Sequence, residues 1–163
     1  MNGKGIHFSI TPERVEALVG AADDDALAAQ VRQLEDEWDE DNLAQSDTAW
    51  DAIHRALGDG QLEVGGGEYP LNHCILGPRQ LHHGSQLIVS LVKADEVKDV
   101  AKALGPLDSE WLRARYDSVV PQSYSREYGV EDRDYTCEWF ENVRELFLIA
   151  ARRGRAVVFT LMK

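Results

Sequence analysis

One stretch constrains this chain more than any other. Across about 134–153, Tyr135, Trp139, Phe140, Val143, Leu146, Phe147 and Ala150 recur at helical spacing and form a wide apolar stripe. Glu138, Glu141 and Glu145 lead it and Arg152 and Arg153 close it, the order that the helix dipole favours. Gly154 then stops the helix, and Ala156-Val157-Val158-Phe159-Thr160-Leu161 reads as a buried strand. A long helix is thus delivered directly onto a sheet. Leu148 lies opposite the main stripe, and a helix apolar on both sides is buried twice or meets a partner.

The rest of the chain follows the same grammar. Gly5-Ile6-His7-Phe8-Ser9-Ile10 alternates as a strand does, and Thr11-Pro12 is a hydroxyl cap followed by proline at the first helical position. Leu27, Val31, Leu34 and Trp38 lie on one stripe of a helix expected over 24–41. A third helix is expected after Ser46 or Asp47, with Trp50, Ile53, His54 and Leu57 facing inward and Gly58-Asp59-Gly60 ending it. Leu87-Ile88-Val89-Ser90-Leu91-Val92 reads as a strand, and two helices follow, the second capped by Asp108. The expected fold is α+β: a small sheet of about three strands, near 5–10, 86–92 and 155–162, covered by about six helices. The expected organisation is one domain over 1–163, with a glycine-rich excursion at 58–85 that is either disordered or a functional loop.

Composition narrows the function classes. The chain has 163 residues, 44% of them apolar, enough for a sizeable core. Cys74 and Cys137 are its only cysteines, which excludes a disulfide scaffold. The longest apolar run, 146–151, is too short to span a bilayer, so no membrane association is expected. Met1-Asn2-Gly3-Lys4-Gly5 has no apolar stretch behind it and is not expected to be a secretory leader, and two thiols fit a cytoplasmic location. Net charge is −12, and residues 23–51 hold eleven acids against one base, Arg32. That segment alone carries −10, a local field that repels nucleic acid and attracts cationic partners.

Sequence patterns for common chemistry are missing. Gly60 to Gly65 has the spacing of a phosphate-binding loop, but Gly66 stands where lysine is required. The acidic run lacks the glycine and final glutamate of a calcium loop, and no nucleophile elbow occurs. No cofactor and no metal are therefore expected. Of the five histidines, His54 lies on the apolar face of its helix beside Trp50 and Ile53. It is either a core histidine with its nitrogens hydrogen-bonded, or an acid/base group oriented by Asp51 or Asn72. Cys74 in an apolar run is expected to be buried and inert. Tyr124 and Tyr128 sit in a polar loop, either lining a cleft or half-buried.

Trp50-Asp51-Ala52-Ile53-His54-Arg55-Ala56-Leu57 with its glycine turn, then Pro70-Leu71 and Ile75-Leu76-Gly77, resembles the YfbM-like family of small bacterial proteins of unknown function. The early strand into Thr11-Pro12-Glu13 and the aromatic helix ending in Ala150-Ala151, Gly154 and a short strand fit the same family. The resemblance implies an α+β fold and a cytoplasmic bacterial protein, and it implies no activity.

Three functions remain open. The first is a protein-interaction module in which the acidic helix 24–41 meets a basic partner through Asp36, Glu37 and Glu40. The second is a small-molecule site or enzyme with a polar cleft between helix 47–57 and loop 69–85. There His54 and Asp51 act catalytically, and Trp50, Asn72, His73 and Tyr124 contact the ligand. The third is a subunit that self-associates through Leu148. The oligomeric state is left open by the sequence.

Overall fold

The structure is a computed structural model that describes residues 3–120, 124 and 129–163. In chain order it contains β1 (Gly5–Ile10), α1 (Pro12–Val19), α2 (Asp24–Glu37), β2 (Leu43–Asp47) and α3 (Trp50–Leu57). Then come β3 (Leu87–Val92), α4 (Ala94–Leu104), α5 (Ser109–Val119), α6 (Gly129–Arg153) and β4 (Ala156–Met162). Short 3-10 turns lie at Glu40–Asn42 and Leu71–His73.

The helix starts are where polar caps stand. Thr11 accepts from the Arg14 N–H at 3.3 Å, Asp23 from Ala26 at 2.8 Å and Asp108 from Trp111 at 2.8 Å. Helix ends use a different device. Arg115 of α5 donates to the Ala56 and Gly58 carbonyls at 2.9 and 2.7 Å, in the last turn of α3 and at its C-cap. Arg144 of α6 likewise donates to the Leu104 and Gly105 carbonyls at the end of α4. Each guanidinium satisfies carbonyls that the helix itself leaves open.

The four strands form one antiparallel sheet in the order β2-β1-β4-β3. Strand alternation splits the side chains between two layers. Phe8, Ile10, Leu87, Val89, Leu91 and Val158 pack with Leu18 of α1 and Leu27, Val31 and Leu34 of α2. Val92, Val157, Phe159 and Leu161 pack on the other side with α3, α4, α5 and α6, around Trp50, Phe140 and Phe147. Helices therefore cover both faces of an antiparallel sheet, an α+β arrangement with six helices and four strands among the described residues.

Two expectations need correction. The sheet has a fourth strand, β2, whose residues Leu43-Ala44-Gln45-Ser46-Asp47 carry only one large apolar side chain. The helix expected over 24–41 ends at Glu37, where Trp38 turns into the left-handed region at φ 42°. Glu40 and Asp41 belong to the 3-10 turn that leads into β2. Helix α3 follows Asp47 as expected, and Ala49 stands at its cap with no side-chain bond. The Asp47 carboxylate is taken instead by the Tyr135 hydroxyl and by Lys4 at 3.4 Å, and the Tyr135 bond, outweighing some burial, holds its pKa below the usual range.

The excursion at 58–85 is laid down as a strap. Cys74, Ile75 and Leu76 are buried, and burial pushes the Cys74 thiol well up, so it stays protonated and inert. Further along, Leu81 N–H donates to Val89 at 2.8 Å and Leu91 N–H to Arg79 at 3.0 Å. Residues 79–81 thereby cover the outer edge of β3.

Candidate functional site

The polar residues around α3 are each held by bonds within the fold. His54 is 2% exposed, held by the inward stripe of α3. Its Nε2 donates to the Glu63 carbonyl at 2.7 Å, and its Nδ1 accepts from the Leu76 N–H at 3.4 Å. Burial keeps its pKa below the ordinary histidine value, against the pull of that carbonyl and of Asp51. The neutral ring thus staples two distant parts of the strap to α3. Asp51 is one turn back and pairs with Arg55 at 2.6 Å, not with His54.

The other residues of that set also have committed partners. Trp50 is wholly buried and its indole N–H donates to the Gly3 carbonyl at 2.9 Å. Asn72 donates to the Gly65 carbonyl at 3.0 Å, and its amide oxygen lies 2.7 Å from His73 Nδ1. His73 Nε2 faces Glu96 at 3.4 Å, and Arg79 pairs with the same carboxylate at 2.5 Å. Burial works to raise the Glu96 pKa, and the Arg79 bonds and the Lys93 N–H outweigh it, leaving the value lowered. Tyr69 donates to Asp99 at 2.6 Å, which pushes the phenol up to about 12. These bonds clamp the strap to α4. Tyr124 lies under the Arg55 guanidinium at 5.1 Å, and Tyr128 lies outside the described residues. His54, Trp50 and His73 are buried.

A different place has the shape of a site. A groove of about 460 Å³ runs between β2 and α6. Leu43, Ala44 and Gln45 form one wall, and Trp139, Leu146 and Ile149 of α6 the other. Trp38, 37% exposed because its left-handed turn lifts it off the α2 stripe, stands at one end with Glu40 and Asp41. Glu145 lies on the α6 side. Arg153 lines the groove too, and its guanidinium donates to the Asn42 side chain at 2.9 Å.

The acids chosen from sequence fare unequally. Glu37 is engaged by Arg14, whose Nη2 lies 2.5 and 2.7 Å from its two oxygens. Asp36 and Glu40 are exposed, and among the described residues neither has a cation within 4 Å. Asp36 also helps to raise the pKa of neighbouring Glu35, after burial, the larger cause. Asp41, Trp38, Trp139 and β2 are groove residues that sequence reasoning did not assign. The one available signal was Trp139, which sits at the margin of the α6 stripe. Among the described residues no group of three or more His, Cys, Asp or Glu side chains is placed to hold a metal ion, and no helix is long and apolar enough to cross a membrane.

Comparisons with known proteins bear out the resemblance read from the residues. The family model described as "Domain of unknown function (DUF1877)" matches residues 1–160. Among solved structures, the crystal structure of YfbM from Escherichia coli, a protein of unknown function, matches with a TM-score of 0.65. The two share 18% identity over 98% of this chain and 99% of that one, a likeness of fold. No curated protein matches.

Proposed function

The chain belongs to the DUF1877 family, a domain of unknown function, and from that premise, which carries no activity, we propose that it is a protein-interaction module whose acidic surface meets a basic partner protein. One observation supports the reading above the rest. Asp36 in the last turn of α2 and Glu40 and Asp41 just after it are exposed, and among the described residues none has a cation within 4 Å. By contrast, Glu37 is paired with Arg14, Asp51 with Arg55 and Glu96 with Arg79. Unpaired charge of one sign steers a cationic partner and speeds encounter more than it adds affinity.

The test is recovery of a basic partner by the tagged chain at low ionic strength and again near ~0.5 M salt, where the Debye length falls to about 4 Å. The triple variant Asp36→Lys, Glu40→Lys, Asp41→Lys is run beside it. Stoichiometric binding that is lost at high salt and lost in the variant is the expected result. Binding indifferent to both salt and charge reversal removes the reading.

A further inference from the structure

The two edges of the sheet are treated differently. The outer edge of β3 is closed from within by residues 79–81, fixed by two backbone hydrogen bonds and by the Arg79–Glu96 pair. The outer edge of β2 has, among the described residues, no strand beyond it. An open edge presents backbone donors and acceptors to any extended chain, and proteins commonly guard such edges with lysine or proline. Leu43-Ala44-Gln45-Ser46-Asp47 contains neither.

The groove against α6 lies along this edge. Leu43, Ala44 and Gln45 are consecutive, so their side chains alternate between faces, yet all three line it. Its wall is therefore the backbone edge of β2. Trp139 and Ile149 give an apolar backstop, while Glu40, Asp41 and Glu145, set against Arg153 alone, leave the lining net acidic.

We propose that a short extended segment of a basic partner adds to β2 as a fifth strand in this groove, with apolar and Lys or Arg side chains alternating along it. This rests on the acidic-surface reading above and specifies its mode. Backbone hydrogen bonds to β2 hold the segment, and its alternate side chains divide as in any strand. The apolar set lies on Trp139 and Ile149. The cationic set meets Glu40, Asp41 and Glu145, beside the half-exposed Trp38. A second copy of this chain is a poorer occupant. Pairing β2 with β2 brings two chains of net charge −12 together at their acidic turns.

The experiment uses the full chain, isotope-labelled, and a degenerate pool of peptides of about nine residues, with Lys or Arg alternating with Val, Ile or Leu. Amide exchange and chemical shifts are read at low ionic strength. Expected are shifts concentrated on 43–47 and the Trp139 indole, with exchange of β2 amides slowed about tenfold or more on binding. The double variant Glu40→Lys, Glu145→Lys is expected to lose the effect while keeping the shifts of a folded chain. Shifts confined to the exposed side of α2, with no protection gained in β2, overturn edge addition and leave the acidic-surface reading standing. No binding of the pool at low salt overturns both.

Discussion

The Nε2 of His7, on the central strand β1, donates to the carbonyl oxygen of Cys74 at 2.8 Å, 67 residues away in sequence. The ring is wholly buried, edge-on to Phe147 and tilted against Phe159, and its Nδ1 has no hydrogen-bond partner among the described residues. Burial holds its pKa down to about 4, from an ordinary value of 6.5. Below pH 6.5 the unfolded chain therefore takes up a proton that the folded chain refuses. Stability present above that pH is lost as pH falls towards 4, by about 3 kcal/mol for this one group. Urea midpoints at pH 7 and pH 4.5 measure it. The His7→Phe variant is expected to lose less stability between the two pH values than the native chain. Equal losses in both would show that the buried ring is not the acid-sensitive group.

His54 is a second buried staple, and its loss acts locally first. His54→Ala leaves the Glu63 carbonyl and the Leu76 N–H without their partner and opens a cavity in a packed layer. The expected cost is about 2–4 kcal/mol. Hydrogen exchange at the Leu76 amide and proteolysis within 58–77 are expected to rise before global unfolding does. A stable variant with an unchanged Leu76 amide would mean that the strap is anchored by the Tyr69, Asn72 and Arg79 bonds alone.

Much of this architecture was legible because it rests on local rules. The α6 stripe, the Thr11 and Asp108 caps and the β-branched runs of β3 and β4 depend on neighbours close in sequence. What was missed depends on distant partners. Strand β2 is made by pairing with β1, since Leu43-Ala44-Gln45-Ser46-Asp47 has weak strand propensity of its own. The early end of α2 is a turn at Trp38, a residue that on its own extends the stripe Leu27-Val31-Leu34. His54 was rightly placed on the inner face, but its partners lie 9 and 22 residues further on, in a segment without periodicity. The groove was hidden for the same reason, because one of its walls is β2.

The two arginines that close earlier helices are expected to matter more than their half-exposed positions suggest. Arg115→Met leaves the Ala56 and Gly58 carbonyls unsatisfied at the end of α3, at a cost of about 1–3 kcal/mol. Arg115→Lys is expected to recover only part of it, because an ammonium cannot reproduce the planar fork that reaches both oxygens. Glu37→Gln is the contrasting surface change. Its pair with Arg14 has both side chains partly exposed, so the loss stays below about 1 kcal/mol. Thermal unfolding of the three variants checks the order. A Glu37→Gln loss equal to that of Arg115→Met would overturn it.

Gly67 is where the strap crosses the end of α3. Its φ of +97° is closed to ordinary side chains, and a Cβ there would stand 2.7 Å from the Cα of Gly58. That neighbour is backbone, so it has no rotamer through which to yield. Gly129 is a control: its φ is also positive, at +53°, but among the described residues a Cβ there meets nothing within 4 Å. Gly129→Ala is expected to cost about 1 kcal/mol, from the backbone conformation alone. Gly67→Ala adds a collision between two backbone segments, so its cost is expected to exceed the Gly129→Ala figure by about 1–3 kcal/mol. Because His54 binds the same strap at Glu63 and Leu76, the double variant Gly67→Ala, His54→Ala is expected to lose less than the sum of the single losses. Additive losses by denaturant titration would mean that the crossing and the staple hold the strap independently.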